Sequence, residues 1–278
     1  MPTQLPPTLQ LGAVMPREDP RDALVMKASL VDTHKSLASL PEGAVIGTSA
    51  LRRSAQLKRL YPHLRFTDVR GNIGTRLAKL DDAEGPYSAL ILAAAGLIRL
   101  GMEGRITSYL SKNDGGMLHA VGQGAIGIET RQDDERTRKL LAQVGCPRTT
   151  KACLAERSLM RTLEGGCSVP IGVETEWQRK SSTTTGITPA LDYHQSGKPV
   201  EANDEDQLSD NLVLQAIVVS LDGQDLVDAE LTKRVTTNDE AEQLGKDVAA
   251  ILVERGAAKI LDKINSNRTN SEKKPNSS

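Results

Sequence analysis

Aromatic side chains make up only 2% of this chain: one Trp, four Tyr and one Phe in 278 residues. A core here has to be assembled from Leu, Ile, Val and Ala rather than from stacked rings. Cysteine is also scarce. Cys146, Cys153 and Cys167 form an odd, sparse set, which argues against a disulfide framework and for a reducing compartment, the cytosol. No apolar run approaches the roughly 20 residues that span a bilayer, so no membrane role is expected. The opening MPTQLPPTLQ lacks the charged and apolar regions of a secretory signal. Neither sign of charge dominates: 35 Lys and Arg stand against 36 Asp and Glu, a formal net charge of -1. That is not the overall field of a nucleic-acid coat. His34, His63, His119 and His194 lie far apart and at no metal-ligand spacing from a cysteine, so no metal is expected. Any anion site must be built locally.

What is present is a clear α/β pattern from residue 43 to 100. GAVIG reads as a short strand, and TSALRRSAQLKRLYP as an amphipathic helix opened by a Thr48/Ser49 cap. LRFTDV is a second strand, NIGTRLAKLDD a second helix, YSALILAAA a buried third strand, and GLIRLGM starts another helix. Short connections between alternating strands and helices predict β-α-β-α-β with a parallel sheet. Before it, MPREDPRDALV suggests an extended segment and then a helical turn. After it, MLHAVGQGAIGIE reads as extended, DDERTRKLLAQV as a charged helix, and residues 149–163 as a helix ended by LEGG. SVPIGVETEW, NLVLQAIVVS and DLVDAELTKRV suggest three strands, the last two joined as a hairpin at Asp222-Gly223. Thr237 and Glu240 form a capping box opening a long helix to about Ile264. The predicted organisation is 1–22 with 117–142, then 23–116, then a small α/β domain at 147–264 with a 178–210 surface loop. Residues 265–278 are expected to be a disordered tail.

Three features could carry chemistry. Arg52, Arg53, Arg70, Arg76 and Arg99 fall at strand ends and helix starts, which in a parallel α/β unit line one edge of the sheet, where ligands bind. Helix N-terminal amides already attract anions, and arginine forks match carboxylates. The set points to a ligand with several carboxylates or phosphates; the alternative is that Arg52 and Arg53 are solvated surface charges. GQGAIG (122–127) formally matches G-x-G-x-x-G, but no helix opens within it, so the match is accidental. RGNIGTR holds the G-x-x-G of a KH-type RNA loop, though its strand-helix setting suits an anion-binding turn better. Cys167, in LEGGCSVPIG, is either a small buried hydrophobe or, with glycines on one side and a loop position, a covalent attachment point.

Taken together, VIGTSALRRSAQL, DVRGNIGTRLAKLD, AAAGLIRLG, AVGQGAIGIE and LEGGCSVPIG resemble, in order, the motifs of the porphobilinogen deaminase (hydroxymethylbilane synthase) family. The resemblance runs from about residue 2 to 264, apart from the 178–210 loop. It implies a transferase of tetrapyrrole (haem) biosynthesis joining four porphobilinogens into hydroxymethylbilane with loss of ammonia. It also implies a dipyrromethane cofactor held by a thioether to Cys167. Arg52, Arg53, Arg76, Thr48 and Ser49 would hold the cofactor; Arg70, Arg76, Arg99 and Gln123 would hold substrate. Two periplasmic-binding-protein-like domains and a small C-terminal domain are implied, as is a monomer.

Two departures shape the expectations. Ala50 stands where many members have a second serine. Members also carry roughly a further third of chain ending in a lysine-aspartate stretch before x-Pro-Thr, and this chain begins Met1-Pro2-Thr3. The sequence therefore reads as lacking the N-terminal part of domain one, including the catalytic aspartate, so that no catalytic residue is assigned and little activity is expected. A non-catalytic polycarboxylate- or pyrrole-binding protein is the alternative function, and a nucleic-acid-binding module a further rival.

Overall fold

The structure, a computed structural model, describes residue 2 and residues 4–163, 169–180 and 207–272, with the backbone alone over 267–272. Cys167, most of the 178–210 segment and residues 273–278 lie outside the described residues. The first part runs β1 (Leu9–Val14), β2 (Asp22–Met26), β3 (Val45–Gly47), α1 (Leu51–Leu60), β4 (Arg65–Thr67), α2 (Ile73–Asp81), β5 (Ala89–Ala93), α3 (Ala94–Arg99) and β6 (Ser108–Leu110). Five of these strands form one sheet in the order β4-β3-β5-β2-β6.

β3 is parallel to β4 and β5, as the alternating pattern requires. β2 differs from expectation: it lies inside the sheet, antiparallel to both β5 and β6. The helical turn suggested for this stretch is therefore corrected to a strand. All five residues of DALVM are buried, so the run shows neither period two nor period 3.6, and a short apolar run is ambiguous between the two.

Alternation along the central strands feeds two cores. Leu24, Met26, Ala89 and Ile91 face one way, onto Ile46 and α1's Leu57. Ala23, Val25, Leu90 and Leu92 face the other, onto Leu77 and Leu80 of α2 and Leu97 of α3. Helices thus cover both faces, which places the C-terminal ends of β3, β4 and β5 and the starts of the following helices along one edge.

The chain then crosses back. β7 (Gly127–Arg131) pairs antiparallel with β1, giving a separate two-stranded sheet, and α4 (Glu135–Leu141) follows, capped by Asp134. α5 (Pro147–Thr162), β8 (Ile171–Arg179), β9 (Leu208–Val219), β10 (Leu226–Arg234), α6 (Asn238–Glu254) and α7 (Ala257–Glu272) complete it. The antiparallel sheet β10-β9-β8 packs its Val173, Leu212, Leu214 and Val218 against α5, α6 and α7. α5 and α6 approach closely at Gly245, where a Cβ would collide with the Ala155 carbonyl of α5.

The Thr237–Glu240 capping box forms as expected. The single long helix does not: Gly256, at φ 104°, breaks it into α6 and α7, because a left-handed residue cannot continue a right-handed helix. The backbone of α7 stays helical to Glu272, past residue 265, where the polar sequence suggests a tail. A further contact joins the two larger units, with Ala55 of α1 and Leu118 against Ile217 and Val219 of β9.

Candidate functional site

The turn from β3 into α1 is built without a capping side chain. Ala50 occupies the N-cap and no side chain accepts from the first-turn amides, so the expected Thr48/Ser49 cap is corrected. Thr48 is buried, its Oγ1 accepting from the Ala50 amide at 3.3 Å. Ser49 Oγ donates to the Val69 carbonyl at 2.7 Å, tying this turn to the segment that carries Arg70. α1 therefore presents bare amides and their positive partial charge. α2, by contrast, is capped by Asn72 accepting from Thr75 N at 2.8 Å.

Arg52 and Arg53 are not solvated surface charges. They are 7% and 9% exposed and converge on one carboxylate, that of Asp22 at the start of β2. Arg52 Nη1 donates to Asp22 Oδ2 at 2.7 Å and to the Leu118 carbonyl at 2.6 Å. Arg53 Nε reaches Asp22 Oδ1 at 2.9 Å, and its Nη1 reaches the Ile91 carbonyl at 3.0 Å. Gln123 closes the cluster: Nε2 donates to the Pro20 carbonyl at 2.7 Å and to Asp22 Oδ1 at 3.0 Å, while Oε1 accepts from Arg52 at 3.3 Å. Burial alone would raise the Asp22 carboxyl; Arg52 and Arg53 overcome that and hold it down at about 2.

Arg99, at the end of α3, is exposed and donates to the Gly124 carbonyl at 2.6 Å, next to Gln123. The structure thus brings Arg52, Arg53, Gln123 and Arg99 to the crossover segment 117–125. Arg70 and Arg76 form a second group on the β4–α2 turn. Arg70 is 82% exposed at its side chain and pairs with Asp68 at 3.0 Å, and Arg76 Nε donates to the Gly71 carbonyl at 2.8 Å. Thr48 and Ser49 lie between the groups. Cys167 lies outside the described residues. Within GQGAIG, Gly122 and Gly124 take left-handed φ of 68° and 80° and β7 follows rather than a helix, as a hinge-like turn requires and a dinucleotide loop does not.

A second buried acid sits across the crossover. Glu156 of α5 is fully buried and receives Arg17 through both terminal guanidinium nitrogens, at 2.5 and 3.1 Å. Thr175 Oγ1 and the Gly122 amide add donors at 2.6 and 2.7 Å. Against the burial that would raise it, the charge of Arg17 and the hydrogen bonds from Arg17 and Thr175 keep this carboxyl below its ordinary range. His119 is pushed down to about 4 by burial, helped by Arg17; its Nδ1 meets the Ala120 carbonyl at 3.0 Å, which makes Nε2 an acceptor.

The sequence reading missed Asp22, Glu156, Arg17 and His119. One signal was available for Glu156, which lies in register with Ala152, Leu159 and Leu163 on the apolar face of α5, where a carboxylate needs a buried partner. Among the described residues no group of three or more His, Cys, Asp or Glu could hold a metal, and no helix is long and apolar enough to cross a membrane.

Fold and site together define an α/β protein whose cationic sheet edge, hydroxyls and bare helix amides suit a small ligand with several carboxylates. Comparison with known families gives the particular case. Residues 1–139 match the model described as "Porphobilinogen deaminase, dipyromethane cofactor binding domain", and residues 150–254 match "Porphobilinogen deaminase, C-terminal domain". The chain is 54% identical over 264 residues to porphobilinogen deaminase of Yarrowia lipolytica, covering 95% of this chain and 68% of that protein. It is 47% identical to the Candida albicans enzyme, covering 96% and 69%, and 46% identical to that of a Nostoc species, covering 95% and 70%. The chain belongs to the porphobilinogen deaminase family: a transferase of tetrapyrrole biosynthesis that uses a dipyrromethane cofactor.

Proposed function

We propose that the edge formed by the α1 N-terminus, the β4–α2 turn and the crossover binds the acetate and propionate groups of porphobilinogen and of the cofactor. The reaction is the head-to-tail joining of four porphobilinogens into hydroxymethylbilane with release of ammonia. The observation that carries the reading is the donor set: three arginines, the Thr48 hydroxyl and an uncapped helix start along one sheet edge, with two more arginines buried behind them. It is a set for carboxylates, and each pyrrole brings two. When bound, the dipyrromethane supplies the end from which the chain grows.

Within this reading the residues divide by exposure. Arg70, Arg76 and Arg99 contact substrate acids directly, and an incoming carboxylate replaces the Gly124 carbonyl as the acceptor for Arg99. Arg52, Arg53, Arg76, Thr48 and Ser49 hold the cofactor, with Arg52 and Arg53 acting from behind through N–H groups that Asp22 and the backbone leave over. Gln123 keeps the crossover against this edge. Cys167 is the attachment point, on the strength of the LEGGCSVPIG motif. Residues 23–116 form a periplasmic-binding-protein-like domain, 1–22 with 117–142 belong to a second of that kind, and 147–264 carry the cofactor cysteine. We place the protein in the cytosol as a monomer.

Equilibrium binding of porphobilinogen tests the arrangement. Replacing Arg99 with Ala removes a charged hydrogen-bond donor, worth about 1.5–3 kcal/mol, so affinity is expected to fall by about ten- to a hundredfold. Affinity unchanged in Arg70→Ala, Arg76→Ala and Arg99→Ala alike would refute the reading.

A further inference from the structure

Arg52 and Arg53 are adjacent in the sequence and point at the same spot, so two buried guanidinium ions share a small volume. Left alone, such a pair would repel across protein of low effective dielectric. Asp22 prevents this. Its carboxylate is 1% exposed, takes Arg52 on Oδ2 at 2.7 Å and takes Arg53 on Oδ1 at 2.7 Å. Gln123 adds a neutral donor to Oδ1 at 3.0 Å, so the carboxylate is hydrogen-bonded on both oxygens. The cluster of two cations and one anion carries a net single positive charge.

We propose that Asp22 is a charge-setting residue of the ligand site: a resident carboxylate that pairs with both Arg52 and Arg53 and keeps half of their charge out of play. The inference rests on the reading of this edge as the site for ligand acids. Its consequence is reversibility. A growing polypyrrole gains two carboxylates with each unit, and an edge with every arginine unopposed would grip the longer chain too tightly to move or release it. Asp22 supplies a fixed counter-charge that no ligand has to displace, since its partners and the Leu118 and Ile91 carbonyls hold the guanidinium planes in place.

A residue that merely held the arginines in shape would weaken ligand binding when lost. A charge-setting residue does the reverse. Porphobilinogen binding to the full chain, measured by calorimetry at low and moderate salt, separates the two. Asp22→Asn keeps the size of the side chain and removes its charge; affinity at low salt is expected to rise, by up to about tenfold for one added charge at this range, and to fall more steeply with salt than in the parent protein. Gln123→Glu adds a negative charge to the same cluster and is expected to weaken binding and flatten the salt dependence. Arg70→Ala, Arg76→Ala and Arg99→Ala are run alongside as the controls on the site itself.

If Arg99→Ala weakens binding but Asp22→Asn binds no tighter, the charge-setting role is overturned and the site stands. If Arg70→Ala, Arg76→Ala and Arg99→Ala all leave binding unchanged, the site reading fails, and the Asp22 inference with it. Should Asp22→Asn fail to fold, by circular dichroism, the sign of the Gln123→Glu effect decides. Failure of both variants to fold would make the cluster a folding determinant and overturn the proposal.

Discussion

Arg17 and Glu156, 139 residues apart in sequence, meet as a two-pronged ion pair in which the carboxylate has no exposed surface and the guanidinium only 10%. The pair joins the segment after β1 to α5, and through the Gly122 amide and Gln123 carbonyl it also fixes the crossover. Two buried acids, Asp22 and Glu156, therefore hold the same segment. That segment also bears Gly124, the partner of Arg99.

Arg17→Ala leaves a buried carboxylate without its main partner. Breaking a buried pair from one side costs about 3–5 kcal/mol, and a loss of that order is expected in urea unfolding. Glu156→Gln, which removes the orphaned charge as well as the pair, is expected to cost less on the Arg17→Ala background than on the parent. Equal costs on both backgrounds would show that the two residues are not coupled.

His119 makes stability depend on pH in a window that few other groups occupy. Its folded value is about 4 against an ordinary 6.5, so between those values the unfolded chain takes up a proton that the folded chain refuses. Stability from this residue is complete above pH 6.5 and is lost progressively as pH falls to 4, by about 3 kcal/mol in all. Denaturant midpoints at pH 7 and pH 5 are expected to differ by less in His119→Leu than in the parent. An identical pH slope in the two proteins would remove His119 from the account.

Gly223 takes φ 78°, and a Cβ there would lie 2.9 Å from Arg59 N and 3.0 Å from the Ala55 carbonyl. Gly223→Ala is therefore expected to push the β9–β10 turn off α1 as well as strain its own backbone, at a cost of about 1–3 kcal/mol. Arg59, which donates to the Gln224 carbonyl at 3.0 Å, should become more reactive to guanidine-directed reagents. Unchanged reactivity and unfolding midpoint would show that the turn is not seated on α1 as described.

The β-α-β-α-β pattern was legible because each short strand is followed by a helix with a clear apolar face. The β8–β10 meander and the capping box at Thr237 were legible for similar local reasons. β2 was not: a central strand buried on both faces has no alternation to read. The arginines could be placed at the sheet edge from sequence, but their partners could not. Asp22 lies 30 residues from Arg52, and only the insertion of β2 beside β5 brings its carboxylate under α1. The break at Gly256 has no signature in the pattern, because apolar positions continue on both sides of it.

The proposed function requires a dipyrromethane on Cys167 with its acid groups on the arginine-lined edge. Intact-mass measurement of the purified protein tests it most directly. The parent chain should be heavier than its sequence by one dipyrromethane, Cys167→Ser should show its bare mass, and Arg76→Ala should show a reduced adduct fraction. A parent chain at its bare mass, or an adduct that survives Cys167→Ser, would contradict the account.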